Sequence, residues 1–297
     1  MLIINFSIWG TLSSKLCRRS LLPARNLNFA FDWCMMGPKK HLGQHFLTAP
    51  AYAQRIAAAV PSAPGEGVLE IGPGRGALSA HLLERFPGMH LVEVDGDAIG
   101  ALKGKLGGGD YRIHHGDVMG FDFAEAGFPL HVAGNLPYNI GALIIKKTLM
   151  YAPQVLSCTF MVQKEVAERI AAAPHSRQNG WLSIFCQFFG EAKLLFSVPP
   201  GAFFPRPNVD SAVFQIVVDK DVNSKLERGR WDDFFAFVDR GFSMRRKQLA
   251  KVMSMKFGQN KDFYGDILVK MGLDAAVRPE NLGVGEWLDF YGRVNSQ

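Results

Sequence analysis

Cysteine is scarce in this chain: Cys17, Cys34, Cys158 and Cys186 are all it has in 297 residues. No C-x-x-C pair and no accompanying histidine cluster occurs, which excludes a disulfide framework and a structural zinc site and predicts free thiols in a reducing compartment. The sequence also lacks an apolar run of the roughly twenty residues a membrane-spanning helix needs. The opening Met1-Leu2-Ile3-Ile4-Asn5-Phe6-Ser7-Ile8-Trp9 is too short, and its basic residues follow the apolar stretch, the reverse of a secretory signal. Acid is missing before Asp32, a composition shared with organellar transit peptides, yet Met36-Gly37-Pro38 offers a second starting point. Residues 1–36 are therefore read as an extension outside the folded domains, either disordered or the product of a start codon assigned too early. Acid is missing again between Asp239 and Asp262, where Arg240, Arg245, Arg246, Lys247, Lys251, Lys256 and Lys261 stand together. Such a run either solvates a helix face or meets phosphate; Arg245, Arg246, Lys247 and Lys251 are the candidates for the second role. The net charge is +6, and the four cations and single acid of residues 1–35 supply half of it.

What the sequence does have is a regular alternation. Short apolar runs at 67–71, 90–94, 111–115, 130–134 and 156–162 read as strands. Helical patterns at 48–60, 76–86, 97–106, 139–150 and 164–172 surround them, the first with Thr48 as its N-cap. This predicts an α/β fold: a doubly wound, Rossmann-like parallel sheet. An apolar helix at 181–189 and two late strands at 194–200 and 210–218 would finish it with a hairpin-like edge. Beyond residue 219 the strand pattern stops, and 231–242, 246–257, 262–271 and 285–294 read as short amphipathic helices. Two domains follow, 37–219 and 220–297.

The chemistry gathers at the strand ends. The strand Gly67-Val68-Leu69-Glu70-Ile71 runs into Gly72-Pro73-Gly74-Arg75-Gly76, where glycines let the backbone approach a ligand. The spacing is G-x-G-x-G rather than the G-x-G-x-x-G of a dinucleotide site, and Pro73 removes an amide that could cradle phosphate, which argues against a nicotinamide dehydrogenase. Glu93 closes the next strand about twenty residues on, where an acid can bind a ribose diol. Asp117 closes the third and is suited to accept an adenine amino group. Each acid alone could equally be a helix cap. The fourth strand ends in Asn135-Leu136-Pro137-Tyr138. A nucleobase amino group is a poor nucleophile because its lone pair is delocalised, so both N–H bonds must be held for the nitrogen to pyramidalise. An Asn oxygen and a backbone carbonyl can accept them, a Pro fixes the turn, and a Tyr ring offers a stacking face. The alternative is a plain strand-to-turn junction.

Four segments together carry a resemblance: Lys40-His41-Leu42-Gly43-Gln44-His45-Phe46-Leu47, Glu70-Ile71-Gly72-Pro73-Gly74, Gly134-Asn135-Leu136-Pro137-Tyr138-Asn139-Ile140 and Pro205-Arg206-Pro207-Asn208-Val209-Asp210-Ser211-Ala212-Val213. From about Pro38 to the C-terminus the chain resembles the ribosomal RNA adenine N6-dimethyltransferases, most nearly the bacterial KsgA (RsmA) branch, with the Erm antibiotic-resistance enzymes as cousins. The resemblance implies an S-adenosylmethionine (SAM)-dependent enzyme that dimethylates two adjacent adenosines near the 3′ end of small-subunit (16S) rRNA, with a role in ribosome biogenesis. It implies a SAM-binding domain at 37–219, helical RNA recognition at 220–297, and no metal. Its cofactor contacts fall on His45, Leu47, Gly72, Glu93, Asp117 and Asn135, His45 standing where many members have Asn. Asn135, Leu136, Pro137 and Tyr138 would hold the target base, with Phe203 on its other face and Phe204 as the alternative, although two Phe before a proline often only plug a core. The expected partner is small-subunit rRNA or an immature 30S particle, met in the cytoplasm by a monomer without membrane contact. Rival readings are an Erm-type large-subunit enzyme and a non-catalytic assembly or transcription factor on the same fold.

Overall fold

The computed structural model describes residues 44–296. The extension at 1–36, with Cys17 and Cys34, and Lys40 to Gly43 of the first motif lie outside them. The described chain opens with β1 (Phe46–Leu47) and α1 (Pro50–Ala59). Alternation follows: β2 (Gly67–Ile71), α2 (Ser79–Leu83), β3 (Met89–Glu93), α3 (Gly96–Leu106), β4 (Tyr111–His115), β5 (Leu130–Asn135), α4 (Gly141–Leu149), β6 (Val155–Gln163) and α5 (Lys164–Ile170). Then come α6 (Trp181–Phe189), β7 (Gly190–Val198), β8 (Phe203–Phe204) and β9 (Ser211–Val218).

Seven strands form one sheet in the order β4-β3-β2-β5-β6-β9-β7. The five from β2 to β6 are parallel, while β9 pairs antiparallel with both β6 and β7. The runs in β2, β3 and β5 are buried almost end to end, as sheets covered on both faces require. From β2 the chain steps outward through β3 and β4, then returns to β5 on the other side. That reversal between β2 and β5 is the topological switch point, the place where open α/β sheets bind ligands. The late strands match the expected edge, but β7 begins earlier than its pattern suggested, directly at Gly190.

Past Val218 the chain is helical: α7 (Val222–Lys225), α8 (Trp231–Phe242), α9 (Leu249–Phe257), α10 (Lys261–Lys270) and α11 (Val284–Asn295). The apolar face of α8 packs on α6 through aromatic edges, with Trp231 5.5 Å from Phe188 and 5.2 Å from Phe189. On its other side Phe237 meets Trp287 and Phe290 of α11. Aromatic pairs of this kind add to area burial, so the helices share a continuous core with the sheet. Cys158 and Cys186 are free and lie buried in it.

Three boundaries differ from the pattern for local reasons. Thr48 is not a cap: its hydroxyl and its N–H both donate to the Ala202 carbonyl, and α1 starts two residues later at Pro50. Helix α2 starts only at Ser79, beyond the turns of the glycine segment. Helix α9 begins at Leu249, so Arg245, Arg246 and Lys247 sit in the preceding turn rather than on a helix face.

Gly134 sets how closely β2 and β5 approach. A Cβ there would stand 2.5 Å from the Ile71 carbonyl oxygen, which is backbone and cannot swing away. Gly134→Ala should therefore cost about 1–3 kcal/mol and lower the thermal unfolding midpoint. An unchanged midpoint would show that the two strands have room to part.

Candidate active site

Across the carboxyl ends of β2, β3 and β5 lies a cleft with about 900 Å³ of free space, its open mouth included. Its floor is apolar, with Ile71, Val92, Val118 and Ile144, and polar groups converge on it from four chain segments. The turn after β2 forms one wall. Gly72 has φ +65 and Gly74 φ +55, the left-handed region that disfavours side chains. A Cβ on Gly74 would press on the Phe46 ring at 3.1 Å, whereas one on Gly72 would meet nothing within 4 Å. Gly72 lines the cleft with open space where a side chain would stand.

Glu93 holds that turn in place. Its Oε2 accepts the Gly74 N–H at 2.9 Å and its Oε1 the Asp95 N–H at 2.8 Å. The carboxyl is only 5% exposed, so burial raises its pKa while these N–H bonds pull it down. The Val94 N–H adds a further backbone bond to the same carboxylate. Asp95 caps α3 through the Asp97 N–H and accepts the Gln44 side-chain amide at 2.9 Å. Asp117 also lines the cleft, with one oxygen on the Met119 N–H.

The opposite wall is Asn135 to Asn139. The Leu136 N–H donates to the Met161 carbonyl, which extends the β5–β6 ladder by one bond and fixes the peptide that follows Asn135. No hydrogen bond from a described residue ends on the Leu136 carbonyl. Asn135 Nδ2 donates to the His45 main-chain oxygen at 3.0 Å, so Oδ1 is the amide's other end. Tyr138 donates or accepts a 2.7 Å bond with Ser211 Oγ, and its ring stacks on His45. Burial raises the Tyr138 pKa, which keeps the phenol neutral.

Most residues expected at the site are thus brought together: His45, Gly72, Glu93, Asp117, Asn135, Leu136, Pro137 and Tyr138 all line one cleft. Phe203 does not. It is 4% exposed, pairs with Leu47 across the small β1–β8 sheet and belongs to the core beneath α1, which leaves it no face for a base. Leu47 is buried in the same cluster, its side chain away from the cleft. Phe204, the alternative, is 50% exposed and paired with the cleft-lining Phe46. Arg245 is also engaged: its guanidinium donates to the carbonyls of Arg177 and Asn179, both at 2.7 Å. Arg245 is nonetheless exposed, as are Arg246, Lys247 and Lys251. Sequence reasoning passed over Gln44, Phe46 and Gly74, although the first two flank His45 in the motif and the glycine stood in the turn already singled out. Among the described residues no group of three or more His, Cys, Asp or Glu side chains stands close enough to hold a metal ion.

A family model described as ribosomal RNA adenine dimethylase matches residues 36–295. The chain belongs to that family. The ribosomal RNA small subunit methyltransferase A of Marinobacter nauticus is 36% identical to it over 253 residues, covering 84% of this chain and 89% of its own length. That of Xanthomonas campestris pv. campestris strain B100 is 43% identical over 219 residues, covering 73% and 83%. Among solved structures, a dimethyladenosine transferase from Plasmodium falciparum matches with a TM-score of 0.73 at 22% identity over 85% of this chain and 98% of its own. The 23S rRNA methyltransferase ErmE matches with 0.66 at 22% over 84% and 99%. At such identities both speak for the fold alone.

One buried acid beside the cleft stands outside the roles above. Glu70 on β2 is 1% exposed, and neither its Oε2 nor the Ser79 hydroxyl finds a hydrogen-bond partner among the described residues. Burial pushes its carboxyl up from 4.5 to about 8. Between those values the folded chain keeps a proton that the unfolded chain has lost, so this group's contribution to stability falls as pH rises through the window. Glu70→Gln keeps the shape and removes the titration. Its unfolding midpoint relative to the wild type should climb between about pH 5 and pH 8; a gap constant across that range would mean Glu70 does not titrate there.

Proposed function

We propose that this protein transfers methyl groups from SAM to N6 of two adjacent adenosines near the 3′ end of small-subunit rRNA, as a step in ribosome biogenesis. The observation that carries the reading is the wall opposite the glycine turn: an amide whose NH2 end is tied back, beside a carbonyl with no described donor. Two acceptors next to each other are what an exocyclic amino group with two N–H bonds needs. The open space at Gly72, the carboxylates of Glu93 and Asp117, and the apolar floor fit a cofactor with ribose, adenine and amino-acid parts.

SAM supplies a methyl on a sulfonium sulfur that is already a good leaving group. The chain's own residues then have two tasks, placing donor and acceptor in line and keeping water out. Asn135 Oδ1 and the Leu136 carbonyl would accept the N6 hydrogens, Pro137 would fix the turn, and Tyr138 would stack on the flipped base. Phe204 takes over from Phe203 as the second aromatic. Base–aromatic stacking is worth about 1–3 kcal/mol per base. No strong base is required at N6, because the nitrogen becomes cationic on methylation and releases its own proton. His45, Gly72, Glu93 and Asp117 would frame the cofactor, and the adjacent backbone of Leu47 is the part of that residue able to reach it.

Residues 37–219 would perform the transfer and 220–297 would dock the RNA. The cleft can read only a base, so the choice of one site in a structured particle must come from shape and phosphate contacts. In this reading the acting species is a monomer, and the reaction takes place in the cytoplasm, where its rRNA substrate is met.

Purified protein should methylate immature small subunits and leave large-subunit RNA untouched. Asn135→Ala should abolish nearly all transfer while retaining part of the SAM affinity. Methylation of large-subunit RNA instead would favour the Erm-type reading, and near-normal turnover of the variant would remove Asn135 from its role. For docking, replacing Arg246, Lys247 and Lys251 together by Ala should weaken RNA binding and flatten its salt dependence by about one unit of slope per lost phosphate contact, with SAM affinity unchanged. A slope equal to the wild type's would place the docking face elsewhere.

A further inference from the structure

Between the cleft and the basic turn before α9 runs a strip of surface with one lysine in its middle. At the cleft end, Asn139, Ile140 and Ile144 line the pocket from the start of α4. The outer side of the same helix carries Leu143 and Lys146, both exposed. Residues three apart share a helix face, so the two stand together. Lys146 lies about 8 Å along the axis from Gly141 at the usual helical rise.

Lys146 and its neighbour differ in what they are free to do. Lys147 Nζ donates to the Met119 carbonyl at 2.8 Å, and Asp122 and Asp117 act on its charge. Lys146 Nζ instead stands 5.9 Å from the centre of the Trp181 ring. That ring is itself fixed. Its Nε1–H donates to the Phe235 carbonyl on α8 at 3.1 Å, and Phe185 stacks on it with centroids 5.0 Å apart. An ammonium beside an indole is attracted to the ring and wanders less, while its N–H donors stay open to an anion.

From Trp181 the strip continues into the loop before α6. Arg177 is exposed there, and its carbonyl and that of Asn179 receive the Arg245 guanidinium. Arg246 and Lys247 follow in the chain. Of the acids on α5, Glu165 is paired with Arg169 and Glu168 with Lys164.

We propose that Lys146 contacts a phosphate of the substrate RNA, on the strand that runs from the Arg246–Lys247 turn to the flipped adenosine. The inference rests on the reading above that the cleft receives an adenine of rRNA, and it adds the track between docking and chemistry. Phosphate contacts set register rather than read sequence. One placed midway fixes the path of the strand into the cleft, and it acts on RNA binding without touching the methyl donor.

The test uses the full chain. Affinity for immature small subunits is measured against salt, SAM affinity without RNA, and methylation at subsaturating and saturating RNA. Lys146→Ala should weaken RNA binding about fivefold at 0.1 M salt and lower the salt slope by about 0.7–0.9, the loss of one phosphate contact. The SAM Kd and the rate at saturating RNA should stay at wild-type values. Lys146→Arg returns the charge and should restore both affinity and slope. Lys103→Glu, an exposed position on α3, whose core residues pack in the other apolar cluster, should match the wild type. The proposal is overturned if Lys146→Ala leaves affinity and slope unchanged, or if Lys146→Arg binds as weakly as Lys146→Ala. It is equally overturned if Lys103→Glu loses as much, the mark of overall charge rather than a contact. A wild-type protein that methylates no adenosine would sink the reading of the cleft; an active one indifferent to Lys146→Ala would sink this contact alone.

Discussion

A carboxamide has two chemically opposite ends, and the acceptor side of this cleft depends on which one Asn135 presents. An NH2 facing the substrate would repel an amino group, and an oxygen attracts it. The His45 carbonyl settles the orientation by accepting Nδ2. The bond spans ninety residues of sequence, from the segment before β1 to the end of β5. The small β1–β8 sheet and the bonds from Thr48 to the Ala202 carbonyl keep the N-terminal segment in place to make it. Much of what looks peripheral in the fold therefore serves one rotamer.

The cofactor side is built on a comparable economy of groups. Glu93 braces the glycine turn and the start of α3 at once, so its carboxylate is held by several backbone amides before any ligand arrives. Such a carboxylate is already oriented and needs little further ordering when it meets a hydroxyl pair. The close approach at Gly134 brings β5 against β2, which sets the distance between the two halves. Donor side and acceptor side thus share a rigid base, the topological switch of the sheet.

Much of this was legible in the residues. Strand alternation marked the parallel sheet because buried parallel strands must be apolar throughout, and the acids at successive strand ends were visible as breaks in that pattern. Spacing along the chain could identify Asn135 and Tyr138 but not the contact of His45 with both, because that contact closes through tertiary packing. Phe203 and Phe204 show the limit most clearly. Adjacent residues in a strand point to opposite faces, and with only two residues in β8 no periodicity tells which one is buried. The same holds for Arg245 among its neighbours, since a run of like charges does not reveal which member has found carbonyls nearby.

That exception bears on how docking and chemistry are linked. Arg245 donates to the carbonyls of Arg177 and Asn179, while the Asn179 side chain donates to those of Glu280 and Leu282. His175, in the same loop, takes its N–H to Glu280 and its ring to Asn281. The loop between α5 and α6 is therefore stitched to the helical part from both its ends. Arg246 and Lys247, the proposed phosphate contacts, follow directly on that stitch, one and two residues from the pin. If the backbone of a bound RNA lies there, its distance from Asn135 is set by hydrogen-bonded loop and packed aromatic helices rather than by a free linker. Selecting one adenosine in a large particle requires such a fixed span, because the cleft itself measures only the base.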